Sequence, residues 1–184
     1  MGNFRKLMSK FKELNLPNEE CFIYGSGPLG VREIREVNDL DVFVTDDLYK
    51  KLKKKYPQSV KEDKIEVGEI EIYPPSGWNW RDKMGDLETV MRRAEIIDGV
   101  RFMNLEDLIV LKKEMGRQKD FEDIGLIKNY LREREEGSEE EEDSSTSKVK
   151  PGSAEERISD MGHVVFEEVR AKEEGNSKRV KKQG

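Results

Sequence analysis

The sequence predicts an α+β protein: a mixed β-sheet flanked by helices, followed by a disordered acidic tail. Three observations carry this expectation. Short β-branched runs and amphipathic stretches follow one another as helix, strand, short helix, strand, helix, two strands, helix, hairpin, two helices, which is not the regular alternation of a doubly wound sheet. Nearly all of the apolar residues and both tryptophans lie in residues 1–134. Charge divides at the same place. Residues 1–134 hold 26 acidic and 25 basic side chains and residues 135–184 hold 14 and 9, so about five of the six net negative charges fall in the last segment.

Taken in order, Phe4, Leu7, Met8, Phe11 and Leu14 recur at helical spacing, and Pro17 closes that helix. CFIYG (21–25) is a short buried strand ended by glycine, and Pro28 to Ile34 allows a turn or two of helix. DLDVFV (39–44) reads as the second strand. Thr45-Asp46-Asp47 then starts a helix over DDLYKKLKKKYP, which Pro57 stops. KIEVGEIEIYP (64–74) alternates around Gly68, as two strands of a hairpin or one bulged strand. AEIIDGVRFMN (94–104) is strand, Asp-Gly turn, strand. Leu108, Leu111, Met115 and then Phe121, Ile124, Ile127, Leu131 mark two amphipathic helices broken near Gly116. From residue 135 the run EEGSEEEEDSSTSKVKPGS buries too little apolar surface to offset chain entropy, and disorder is expected. Beyond it, Ile158, Met161, Val165 and Val169 fit one side of a short helix near 154–172.

Composition narrows the chemistry. A single cysteine, Cys21, permits neither an internal disulfide nor a cysteine-based zinc site, and its apolar context marks it as a buried, inert thiol. The one histidine, His163, lies in the tail, so triads and metal sites that need histidine are not expected in the folded part. No run approaches the ~18 apolar residues of a membrane span, and the charged start lacks the apolar centre of a signal peptide. A cytoplasmic protein is expected.

The segment YGSGPLGVREIREVNDLDVFV concentrates the unusual features. Asp39 and Asp41 sit in a run that otherwise reads as a buried strand, where ionised carboxylates need compensation. Alternate strand residues face one way, which places two carboxylates ~6–7 Å apart, a spacing that suits a divalent cation. Glu71 in EIEIYP is placed by pattern to be a third acid, with Glu69 as the competing choice. Gly25-Ser26-Gly27 offers bare amides and a hydroxyl to phosphates, more so if Pro28 opens a helix pointing the same way. Against this stands the plainer reading of a glycine turn and aspartates at a solvated strand end.

The combination resembles the nucleotidyltransferase-fold superfamily of DNA polymerase β type: Gly-Ser ending one strand, a spacer of 12 residues, Asp-x-Asp on the next strand and an acid on a third. The resemblance covers roughly residues 20–132. Its second half, DLIVLKKEMGRQKDFEDIGLIKNYL, is similar to the closing helices of small bacterial and archaeal members, where a Lys, an Arg-x-Lys-Asp and another Asp recur. The resemblance implies that Gly25 and Ser26 hold nucleotide phosphates, and that Asp39, Asp41 and Glu71 ligate a pair of magnesium ions. Glu71 stands where the family usually has aspartate. Lys112, Arg117 and Lys119 are then candidates for contacting the triphosphate or the acceptor; read alone, RQKDFED is equally a helix junction tied by ion pairs. The chain is not a P-loop enzyme, because GSGPLGVRE lacks the Gly-Lys-Ser/Thr ending.

The activity implied is metal-dependent transfer of a nucleoside monophosphate from ATP or another NTP to RNA, a protein or a small molecule. The competing expectation is a catalytically inactive nucleotide-binding or interaction module, in a toxin–antitoxin context, and the acidic tail suits a protein partner. Arg32 and Arg35 are within reach of phosphates or of the aspartates, or belong to the surface. Trp78 and Trp80 read as core edge rather than an adenine platform. The five lysines of LYKKLKKKYP read as a solvated helix face, with contact to an RNA acceptor as the alternative.

Overall fold

The structure, a computed structural model, describes residues 2–143. The α+β expectation holds. Six strands, β1 (Cys21–Tyr24), β2 (Leu40–Val44), β3 (Ile65–Val67), β4 (Ile70–Tyr73), β5 (Glu95–Ile97) and β6 (Val100–Phe102), form one sheet in the order β3-β4-β2-β1-β6-β5. β1 and β2 are antiparallel, while β2–β4 and β1–β6 are parallel. The sheet is therefore mixed, with an antiparallel hairpin at each edge. The helices are α1 (Gly2–Glu13), α2 (Gly27–Val31), α3 (Asp46–Lys55), α4 (Arg81–Met84), α5 (Leu87–Arg93), α6 (Leu105–Met115) and α7 (Gln118–Asp143).

Local chemistry explains most boundaries. Thr45 caps α3 by accepting from the Leu48 amide, Asp86 caps α5 through Thr89, and Asn104 caps α6 through Asp107. The β5–β6 turn is carried by Asp98 and Gly99, both at positive φ, as a tight hairpin of this twist requires. Residues 64–74 form a true hairpin rather than one bulged strand. The second strand opens at Leu40, whose amide donates to the Glu69 carbonyl (2.9 Å), so Asp39 stands in the loop just ahead of it. This corrects the expected strand of 39–44.

Side-chain alternation sorts the core into two layers. Ile23, Leu40, Val42, Val44, Ile70 and Ile72 pack with α1 and α3 on one face. Phe22, Tyr24, Phe43 and Trp78 pack with α5, α6 and α7 on the other. Asp41 and Glu71 alternate with the first set, which turns both toward the face that α6 and α7 cover. Cys21 is buried, and its thiol, pushed up to about 12 chiefly by burial, is inert as expected.

α7 runs past the expected boundary at residue 134. Glu and Arg are strong helix formers, and an Arg132–Glu136 pair one turn apart spans the composition break. The helix expected near 154–172 and the rest of the expected tail lie outside the described residues. Among the described residues no helix is long and apolar enough to cross a membrane.

Candidate active site

Three neighbouring strands build one wall of the site. Tyr24 is registered against Asp41, and Asp41 against Glu71, so the ends of β1, β2 and β4 lie side by side. Gly25 follows β1 at φ +65°, and a Cβ built there would collide with Asp41 Oδ2. The missing side chain is what lets the Asp41 carboxylate stand at the end of β1. Neither Asp39 nor Asp41 accepts a hydrogen bond or ion pair from any described residue. Burial first, then the negative charges of Asp39 and Glu71, push the Asp41 carboxyl up to about 6. A half-buried carboxylate with like charges beside it and no partner is short of positive charge.

Glu71 is already engaged. Lys64 Nζ lies 2.8 Å from its Oε2, and Tyr73 Oη donates to the same oxygen at 2.6 Å. Burial raises the Glu71 carboxyl, but these two hydrogen bonds prevail and hold it below its ordinary value. The competing Glu69 is exposed and pairs with Lys10 (2.6 Å), so the acid on this wall is Glu71.

Opposite stands a chain of alternating charges. Arg35 grips Asp123 with both Nε and Nη2 (2.6 and 2.9 Å), and Lys112 Nζ reaches Asp123 Oδ2 at 2.6 Å and Asp120 Oδ1 at 3.4 Å. Arg117 in turn grips Asp120 through Nε and Nη2 (2.7 and 3.0 Å). Lys112, Asp120 and Asp123 are all buried. Burial pushes both carboxyls up, yet the Arg and Lys bonds hold both below the usual carboxylate range. Three cations on two carboxylates leave one net positive charge, and the negative charge of Asp41 acts directly on Arg117.

These walls border a cavity of about 630 Å³ lined by the eight residues to which the resemblance gave a site role: Gly25, Ser26, Asp39, Asp41, Glu71, Lys112, Arg117 and Lys119. The chain matches no protein-family model, no curated protein and no solved structure.

Ser26 begins α2 without capping it, and its carbonyl takes the Leu29 and Gly30 amides (3.0 and 3.2 Å). Any phosphate donors here belong to the Gly25–Gly27 turn and the Ser26 hydroxyl, rather than to the interior of that short helix. Lys119 is exposed at the rim. Arg32 is tied to Glu95 (2.7 Å) and lines no part of the cavity. The lysines of α3 are surface residues, with Lys50 beside Asp47 and Lys51 beside Glu20. The tryptophans part company: Trp78 is buried and donates to the Gly85 carbonyl (2.9 Å), whereas Trp80, edge-on to it, lines the cavity.

Sequence reasoning left the Asp120 of the Arg-x-Lys-Asp run and the following Asp123 unassigned, placed Arg35 only loosely, and missed Lys64 and Tyr73. One signal was present: buried acids at helical spacing on a helix need cations, and Lys112 and Arg117 were nearby. Among the described residues no three His, Cys, Asp or Glu side chains close into a ready-made metal cage. The donor set nevertheless fits magnesium, a hard cation that takes one or two carboxylates and shares its remaining positions with water and substrate phosphates.

Proposed function

We propose that the cavity binds a nucleoside triphosphate with magnesium and transfers its nucleoside monophosphate to an acceptor hydroxyl. One observation carries the reading. Two unpartnered aspartates face a cationic network across a cavity whose volume falls in the usual range for small-molecule ligands, ~300–1,000 Å³. Opposed carboxylates and cations suit a ligand that is itself a metal–polyanion complex, with the metal on one wall and the phosphates on the other.

In this reading Asp39, Asp41 and Glu71 hold the metal. When bound, magnesium supplies charge stabilisation to the transferring phosphoryl group and to the leaving pyrophosphate. The chain's own residues do the positioning. The Gly25–Gly27 turn and the Ser26 hydroxyl donate to phosphate oxygens, and Arg117 and Lys119 present positive charge along the cavity. Lys112, being buried, acts mainly by orienting Asp120 and Asp123, which in turn fix Arg117 and Arg35. Phosphoryl-type transfer asks for little covalent help, which accords with a described site that holds no histidine and no reactive thiol.

A nucleotide-binding module without turnover is the second reading, favoured by the prior engagement of Glu71 with Lys64 and Tyr73. Incubation of the full chain with each labelled NTP, magnesium and a cell extract separates the two. Label passing to one fraction with wild type, and not with Asp41→Asn, supports transfer. Tight nucleotide binding with no label in any fraction supports the binding module.

A further inference from the structure

Lys64 lies just ahead of β3, and several contacts hold it. Its carbonyl accepts from the Lys61 amide (2.8 Å), and its ammonium sits between Glu66 Oε1 (3.0 Å) and Glu71 Oε2 (2.8 Å). The Tyr73 ring lies beneath it at 5.9 Å, and the Tyr73 hydroxyl shares the same Glu71 oxygen. Both donors thus use Oε2, and Glu71 Oε1 is engaged by neither. The three acids of the wall carry three formal negative charges, and Lys64 offsets one of them from outside the cavity lining.

We infer that Lys64 is a resident counter-cation of the carboxylate wall: it fixes Glu71 through Oε2 and lowers the affinity of the nucleotide-free cavity for a divalent ion. Metal loading is thereby tied to arrival of the nucleotide, whose phosphates bring further oxygen ligands and restore the negative charge that Lys64 offsets. This rests on the reading of Asp39, Asp41 and Glu71 as metal ligands and adds to it. A lysine that merely propped Glu71 in place would have the opposite effect on removal, because a loosened ligand binds metal more weakly.

The test is Mn²⁺ binding to the full-length protein without nucleotide, followed by calorimetry and by the shift in melting temperature, for wild type, Lys64→Met, Lys64→Arg and Asp41→Asn. Removing one unit charge a few ångströms from the ion should tighten Mn²⁺ binding by roughly tenfold. Lys64→Met is therefore expected to bind more tightly and to show the larger Mn²⁺-induced shift, while Lys64→Arg keeps the wild-type affinity. If Lys64→Met does not fold, Lys64→Gln takes its place in the same comparison. Equal or weaker binding after loss of the charge overturns the role of Lys64, with the metal site intact so long as Asp41→Asn abolishes binding. Absence of Mn²⁺ binding in wild type and in the charge-removal variant, with and without ATP, overturns the metal site and this inference together.

Discussion

The carboxylate of Asp41 occupies the space that a Cβ on Gly25 would need. Strand end and acid are thus one unit, and the glycine matters for two separable reasons. Gly25→Ala places a side chain at φ +65°, a strain of about 1–2 kcal/mol, and also drives Asp41 from its position. Gly68→Ala is the matched control, since Gly68 has φ +61° and open space where its Cβ would go. Thermal melting should show both variants destabilised. Only Gly25→Ala should also lose the added stability that magnesium and ATP confer together.

The raised Asp41 carboxyl sets a pH dependence of definite sign. Its folded value of about 6 lies above the ordinary 3.8, so between these values the folded state binds more protons than the unfolded one. Ionising Asp41 therefore destabilises the metal-free protein as pH rises from about 4 to 6, by roughly 1–2 kcal/mol after allowance for solvent screening. Melting in EDTA across this range should show the decline in wild type and a flatter profile in Asp41→Asn, which should be the more stable of the two at pH 7. Glu71, Asp120 and Asp123 are shifted the other way, and their contributions are lost only as pH falls through their lowered values. A profile in Asp41→Asn as steep as in wild type would place the titrating group elsewhere.

Asp123 should behave as a structural acid. It holds Arg35 by two hydrogen bonds and buried Lys112 by a third, so Asp123→Asn strands positive charge in the interior. Loss of about 3 kcal/mol is expected in denaturant unfolding, within the range for breaking a buried pair. Glu122→Gln, one residue away but exposed, should change stability by less than ~0.5 kcal/mol. The opposite behaviour of Asp41 and Asp123 on losing their charge distinguishes a ligand-binding carboxylate from one that ties helices together.

Ser26→Ala should weaken ATP binding by about 1 kcal/mol, the value of one neutral hydrogen bond, with little effect on stability. Its hydroxyl caps no helix, so the fold does not depend on it. Calorimetric titration of both proteins with magnesium and ATP measures the difference directly. An unchanged affinity would move the phosphate donors away from this turn.

Much of the fold was legible because its signals are local. Helix caps at Thr45, turn glycines at 68 and 99, and period-two alternation in β1, β2 and β4 each act over a few residues. The facing of Asp41 and Glu71 could be anticipated for the same reason, since strand alternation fixes which side chains share a face, whereas Asp39 reaches the cavity from the loop ahead of β2. What escaped depends on tertiary placement. Lys64 meets Glu71 because β3 folds back on β4, and Arg35 meets Asp123 across a long stretch of chain. No spacing rule in the sequence reports such pairs. The helical run beyond residue 134 was obscured for another reason: glutamate-rich composition is compatible with disorder and with helix alike.

The claim that Asp39 and Asp41 bind metal and nucleotide, rather than serve the fold, is tested most directly by melting wild type, Asp39→Asn and Asp41→Asn with and without magnesium plus ATP. Wild type should be stabilised by the two ligands together, by about 2.7 kcal/mol when free ligand stands at a hundredfold its Kd. Each variant should melt no lower than wild type without ligand and should gain far less from it. Variants that melt lower than wild type yet keep the full ligand-induced shift would contradict the account, because the two aspartates would then support the fold and not the ligand.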